Sequence, residues 1–199
     1  MILVGITGPT GAGKSLLSEF MRKKGIPVID ADEVYHSLLV PPSECLDALR
    51  RAFGDGIFNG ETLDRRALSE IVFHDKEKLT LLNRTVLGIV LDRCREILAE
   101  YEREGHAIAA VDAPTLIESG FYLECDRVIS VLSSPDIRIE RIMARDGLTR
   151  EAAETRVRGQ RRSEFYVEHS DTVLINDSDE KEFFDKCGEL ILNLNKKGI

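Results

Sequence analysis

Apolar residues along this chain fall into two rhythms. Ile2-Leu3-Val4-Gly5-Ile6-Thr7 is a nearly unbroken apolar run ending at Gly8, which predicts a strand buried on both faces. Over 14–24 the apolar positions recur at helical spacing, and Gly25 closes that helix. Pro27-Val28-Ile29-Asp30 predicts a second short strand. Strand, glycine loop, helix and strand within about 30 residues make a βαβ opening, which implies a parallel sheet. Three more strands are predicted at 107–111 ending at Asp112, at Arg127–Leu132, and at Thr172–Ile175 ending at Asn176. Each is short, apolar and followed by turn or polar residues.

The stretch between the second and third strands is helical. Leu82, Val86, Ile89, Val90, Cys94, Ile97, Leu98 and Tyr101 advance by threes and fours, predicting one long helix over about 75–101 that ends near Gly105. Asp64, just ahead of Arg65-Arg66-Ala67-Leu68, is placed to cap a shorter helix, and Gly54, Gly56 and Gly60 mark a turn-rich connection before it. Ser134-Pro135 starts a helix to about Arg145, Thr149 starts another through Gln160, and 179–195 reads as a closing helix. The fold class is α/β: a parallel five-stranded sheet flanked by helices. One domain, 1–199, is expected, with a helical insertion at about 55–105 and a mobile Arg-rich lid at about 135–165.

Composition narrows the class. With 199 residues, 43% apolar, 31% charged and a formal charge of −8, the chain suits one soluble domain. The acidic balance disfavours nucleic acid or an anionic membrane as the main partner. No apolar run reaches the roughly 18 residues of a spanning helix, and the first residues lack a signal peptide's basic flank, so a cytoplasmic address is expected. Cys45, Cys94, Cys125 and Cys187 are widely spaced and read as buried or incidental thiols. His36, His74, His106 and His169 share no spacing and are given no role.

Gly8-Pro9-Thr10-Gly11-Ala12-Gly13-Lys14-Ser15 fits G-x-x-x-x-G-K-[ST] at every fixed position, with a predicted strand before it and a helix after it. Average residue frequencies put accidental matches at about one per hundred chains of this length, even before that context is required. In such a loop, backbone N–H groups turn toward phosphate oxygens and the helix start adds partial positive charge. Lys14 can reach the β and γ phosphates, and the Ser15 hydroxyl can ligate Mg²⁺. No Asn-Lys-x-Asp segment reads guanine, and the chain is short for a motor. A small-molecule kinase instead needs a base for the acceptor, a cation for the transferred group and a lid that excludes water. Asp32, just past the predicted end of the second strand, is the candidate base, with Asp30 orienting. The segment 138–162 carries eight Arg, no Lys and four acids, and Arg138, Arg141 and Arg145 share a helix face. Arg141 is the first candidate for the transferred group and Arg145 the second. Arg65, Arg66 and Arg84 are candidates for the acceptor's own phosphates.

These segments resemble the dephospho-coenzyme A kinases. The likeness rests on 5–15, Val28-Ile29-Asp30-Ala31-Asp32, Asp64-Arg65-Arg66-Ala67-Leu68 with Ile71-Val72-Phe73, and Asp112-Ala113-Pro114-Thr115-Leu116-Ile117-Glu118. Asp126-Arg127-Val128-Ile129, Arg141, Arg145, Gln160 and Asp171 to Asn176 follow in the family's order. The resemblance implies a P-loop, nucleoside-monophosphate-kinase-like fold. It also implies ATP-dependent phosphorylation of the ribose 3′-hydroxyl of dephospho-coenzyme A, the last step of coenzyme A synthesis. Carried over by motif, Asp32, Lys14 and Arg141 are catalytic. Gly8, Thr10, Gly11, Ala12, Gly13, Lys14, Ser15, Leu16, Arg141, Arg145 and Asn176 bind ATP. Asp32, Arg65, Arg66, Arg84 and Pro114 bind the acceptor, and Ser15 with Asp112, through water, serves Mg²⁺. The expected partners are ATP and dephospho-coenzyme A, with no nucleic acid or membrane, and the expected state is a monomer, a homo-oligomer remaining open.

Several positions depart from the family pattern. Leu87-Gly88 stands where a His-Pro pair is usual, Thr115 and Ile117 replace a Leu and a Phe, and Leu16 and Tyr166 stand where a Thr and a Lys are common. None removes a phosphate, metal or base residue. A kinase for another alcohol, such as a nucleoside or sugar, and a non-catalytic nucleotide-binding regulator are the alternatives.

Overall fold

The apolar runs become strands, and their alternation decides which helices cover each face. The computed structural model describes residues 1–73 and 75–196; His74 lies outside them. The chain opens with β1 (Ile2–Thr7), α1 (Lys14–Lys23) and β2 (Val28–Asp30). They are followed by α2 (Ala31–Ser37), α3 (Glu44–Phe53), the short strands β3 (Phe58–Asn59) and β4 (Thr62–Leu63), α4 (Arg65–Phe73) and α5 (Lys76–Arg103). The chain continues through β5 (Ile108–Asp112), β6 (Arg127–Leu132), α6 (Pro135–Asp146), α7 (Arg150–Arg158), α8 (Ser163–Glu168), β7 (Thr172–Ile175) and α9 (Glu180–Lys196). The main sheet is five-stranded in the order β2-β5-β1-β6-β7. Its register is parallel, with Ile6 opposite Asp112 and Ile129, and Leu132 opposite Ile175. The predicted sheet is therefore present strand for strand.

The chain forms two compact units: Met1–Val28 with the chain from Tyr101 on, and Ile29–Glu100. In the first unit, Val4 and Ile6 of β1, Ile129 and Val131 of β6 and Leu174 of β7 turn one face toward Leu17 and Met21 of α1 and Phe183, Cys187 and Ile191 of α9. The alternate residues Leu132 and Val173 join a second cluster with Ile117 and Tyr166, as a strand period of two requires. Gly5 lies on that second face, where a Cβ would sit 2.6 Å from Leu116 Cδ2 and 2.9 Å from Cys125 Sγ. The glycine lets the segment after β5 lie against β1. Ile139 and Ile142 of α6 pack with Ala153 of α7, so the predicted Arg-rich hairpin has its own small core.

The second unit has a separate core of Leu39, Cys45, Leu46, Leu49, Ile57, Leu63 and Leu68. Asp64 caps α4 as expected, its Oδ1 accepting from the N–H groups of Arg66 and Ala67 at 3.0 Å each. Those two bonds lower its pKa. The glycine-rich connection contains the antiparallel β3–β4 hairpin, turning at Gly60 with φ +65°. Neither that hairpin nor α3 and α8 is predicted from the apolar rhythm. Two-residue strands are too short to show a period, and α8 spans only Ser163–Glu168.

All four cysteines are free thiols. Burial pushes Cys94 up to about 11 and Cys125 and Cys187 up to about 12, and raises Cys45 as well. These thiols stay protonated in the folded chain at neutral pH. Their contribution to stability is complete below an unfolded thiol pKa of about 8.5 and is lost as pH climbs through the raised values. Titration with a disulfide reagent at pH 8 should find them slow in the native protein and all reactive after denaturation. A fast native thiol would contradict that burial. Phe183→Ala, at a fully buried position, should lower unfolding free energy by about 3–5 kcal/mol in a denaturant melt.

Candidate active site

The phosphate loop is built from main-chain geometry. Gly13, with φ +100°, is the N-cap of α1 and makes no side-chain cap bond to that helix. A Cβ at Gly13 would sit 2.1 Å from Asn176 Nδ2, so glycine is required there on both conformational and steric grounds. Lys14 folds back, Nζ donating to Gly8 O at 2.9 Å, which places its ammonium over the loop. Ser15 is exposed on the first turn of α1. The Leu16 side chain instead packs toward the core, and its N–H donates to Gly13 O at 3.1 Å.

Behind the loop, three consecutive carbonyls are held. Arg138 Nε donates to Thr10 O at 2.9 Å. Arg141 Nη1 reaches Gly11 O and Ala12 O at 3.4 Å each, and Asn176 Nδ2 donates to Ala12 O at 2.9 Å. Asn176, 1% exposed, also accepts from Arg141 Nη2 at 3.4 Å. Gln160 completes the frame: its Oε1 accepts from Thr10 N–H at 3.2 Å and its Nε2 donates to Thr10 Oγ1 at 2.8 Å. Arg145, by contrast, turns to Asp146, with Nε–Oδ1 at 2.7 Å and Nη2–Oδ2 at 3.1 Å. The shared helix face therefore holds two arginines on the loop and one in a largely exposed ion pair.

Asp112 ends β5 and is 6% exposed, its Oδ2 accepting from Ser18 Oγ at 2.7 Å. Ser18 lies one turn beyond Ser15 on α1, so this bond fixes the face of the helix that carries the Ser15 hydroxyl. Sequence reasoning did not single out Ser18, nor Asp177. Asp177 Oδ1 accepts from Ser133 Oγ at 2.7 Å and from Ser134 N–H at 2.8 Å, tying the end of β7 to the start of α6. A polar residue just past a strand is a common turn feature and a serine within a helix is commonplace, so neither position carries a distinguishing signal. Pro114 is exposed shortly after β5.

In the second unit, Asp30 is the N-cap of α2: its Oδ1 accepts from Asp32 N–H at 2.9 Å and Glu33 N–H at 3.1 Å. The cap role therefore falls to Asp30, leaving Asp32 exposed on the first helical turn. Tyr35, one turn further on, has its pKa raised chiefly by burial and pulled back by the Arg65 charge. Arg66 pairs with Glu70 at 3.1 Å and Arg84 is exposed on α5.

A parallel sheet whose first strand runs through this loop into α1 defines a P-loop nucleotide-binding fold. A family model described as dephospho-CoA kinase matches residues 2–182. The chain is 35% identical to the dephospho-CoA kinase of Lactobacillus johnsonii over 158 residues, 79% of this chain and 80% of that one. It is 36% identical to that of Geobacillus kaustophilus over 186 residues, 91% and 90% of the two chains. Among solved structures, the dephospho-CoA kinase of Campylobacter jejuni superposes with a TM-score of 0.73 at 25% identity, covering 99% of this chain and 98% of that one. The chain belongs to the dephospho-CoA kinase family.

Asn176→Leu keeps the side-chain size but removes the donor to Ala12 O. The expected result is a loss of about 1–3 kcal/mol in stability and a smaller rise in melting temperature on adding ATP. An unchanged ATP-induced shift would mean that the loop does not depend on this bond.

Proposed function

We propose that this chain transfers the γ-phosphoryl group of ATP to the ribose 3′-hydroxyl of dephospho-coenzyme A, yielding coenzyme A and ADP. The observation that carries this reading is the family match across residues 2–182, together with an intact phosphate loop inside that span. Asp32 takes the proton of the attacking hydroxyl as its oxygen bonds to the γ-phosphorus, and the bond to the β,γ-bridging oxygen breaks. Its exposed place on α2, with Asp30 occupied by the cap, supports that role. Lys14 and the amides at the start of α1 take the negative charge of the β and γ phosphates. Arg141 follows the charge on the transferred group. Arg145 joins only by exchanging Asp146 for phosphate, and Asn176 contributes by holding Ala12.

Mg²⁺ suits these residues as a nucleotide-borne ion. Ser15 offers a hydroxyl and Asp112 a carboxylate with one oxygen on Ser18, and among the described residues no three His, Cys, Asp or Glu side chains form a cluster that could hold a metal. A hydroxyl, a carboxylate reached through water and phosphate oxygens fit Mg²⁺, which keeps much of its hydration. When bound, the ion neutralises phosphate charge. Arg65, Arg66, Arg84 and Pro114 are assigned to the acceptor. Residues 55–105 act as the acceptor-binding insertion and 135–165 as the lid of one kinase domain. A monomer working in the cytoplasm without nucleic acid is the accompanying reading; no described helix is long and apolar enough to cross a membrane.

Mass spectrometry after incubation with ATP, Mg²⁺ and dephospho-coenzyme A should find coenzyme A. Turnover of a different alcohol, with none of dephospho-coenzyme A, would select the second reading that Leu87-Gly88 motivates. Lys14→Ala and Asp32→Asn should each lower kcat by roughly 10²–10⁴-fold. Normal turnover in Asp32→Asn would remove Asp32 as the base.

A further inference from the structure

Arg138 is 5% exposed, and burial lowers its pKa. Its guanidinium binds Thr10 O through Nε and Gln160 Oε1 through Nη2. Both acceptors are neutral, and among the described residues no carboxylate pairs with it. A buried charge of this kind is costly unless something compensates it. Arg141, one turn on and less buried, also reaches only neutral acceptors, whereas Arg145, Arg156 and Arg158 further along all pair with acids.

The position of the charge indicates what compensates it. Thr10 O and Gly11 N–H belong to one peptide, and the cis bond among the described residues lies elsewhere, at Pro41-Pro42. In a trans peptide the N–H points opposite to the carbonyl. A cation drawing on Thr10 O therefore aims Gly11 N–H away from α6 and increases the positive charge on that hydrogen. Gln160 holds the same residue by N–H and hydroxyl, so Thr10 is fixed through its amide, its carbonyl and its side chain.

We propose that Arg138 is a positioning residue of the nucleotide site, whose unpaired buried charge orients and polarises the Thr10–Gly11 peptide and is compensated by the phosphates of the bound nucleotide. The proposal rests on the phosphate loop's binding ATP, as in the function proposed above, but not on the identity of the acceptor. Arg138 acts through the loop and touches no reacting atom. Its effect falls on ligands that carry phosphates and spares those that carry none.

Calorimetric titration of the full chain with ATP, ADP and adenosine tests this. Arg138→Gln should weaken ATP about tenfold, ~1.4 kcal/mol, weaken ADP similarly and leave adenosine within about twofold; Arg138→Lys should recover most of the loss. ATP binding within twofold of the parent in a folded Arg138→Gln overturns the proposal, as does an equal loss for adenosine. Gln160→Glu supplies a test should Arg138→Gln fail to fold, because it pairs the guanidinium in place. It should weaken ATP more than Gln160→Met, although Met gives up both side-chain bonds to Thr10 and Glu keeps the one accepted from Thr10 N–H. Equal losses in those two variants also overturn the proposal. Failure of the parent protein to bind ATP would instead remove the reading of the loop itself.

Discussion

The nucleotide site depends on keeping a short stretch of main chain turned inside out. Peptide N–H groups can face a phosphate only if their carbonyls are held in the opposite direction, and buried carbonyls need partners of their own. Here the carbonyls of Thr10, Gly11 and Ala12 are met by Arg138, Arg141 and Asn176. The loop is thus a set of donors whose orientation is enforced from behind. Two of those three holders lie on α6 and the third follows β7, far along the chain from the loop.

This arrangement explains why the segment after β6 has two characters. Its first two turns belong to the floor of the phosphate site, because Arg138 is buried and Arg141 faces the loop. Beyond them, Arg145, Arg156 and Arg158 are exposed and paired with acids, where ion pairs add little to stability. Gln160 returns to Thr10 at the far end of the segment. The ion pairs that Arg145, Arg156 and Arg158 make between these two points involve no residue of the loop.

Asp112 and Asp30 show how one residue type serves different ends. Asp30 satisfies two orphan amides of α2. Asp112, at a strand end, is buried against Ser18 and so registers α1 on the sheet. A capping role for Asp32, a plausible use of any acid near a helix start, is already taken by its neighbour. Asp32 is exposed on the first turn of that helix.

The sequence by itself determined the five parallel strands, the phosphate loop, the long helix and the cap at Asp64. Those features are written in apolar spacing, glycine placement and side-chain-to-amide bonds between near neighbours, all of which are local. Family membership was equally legible, because its motifs sit at fixed points along the whole chain. Only the tertiary structure decided that Arg138 is buried while Arg145 is exposed, although both lie on one helix face. It likewise decided that Asn176 and Gln160 hold the loop, and that Ser18 meets Asp112. Each of these depends on contacts between residues distant in sequence, and helical periodicity cannot say which end of a charged face will be covered.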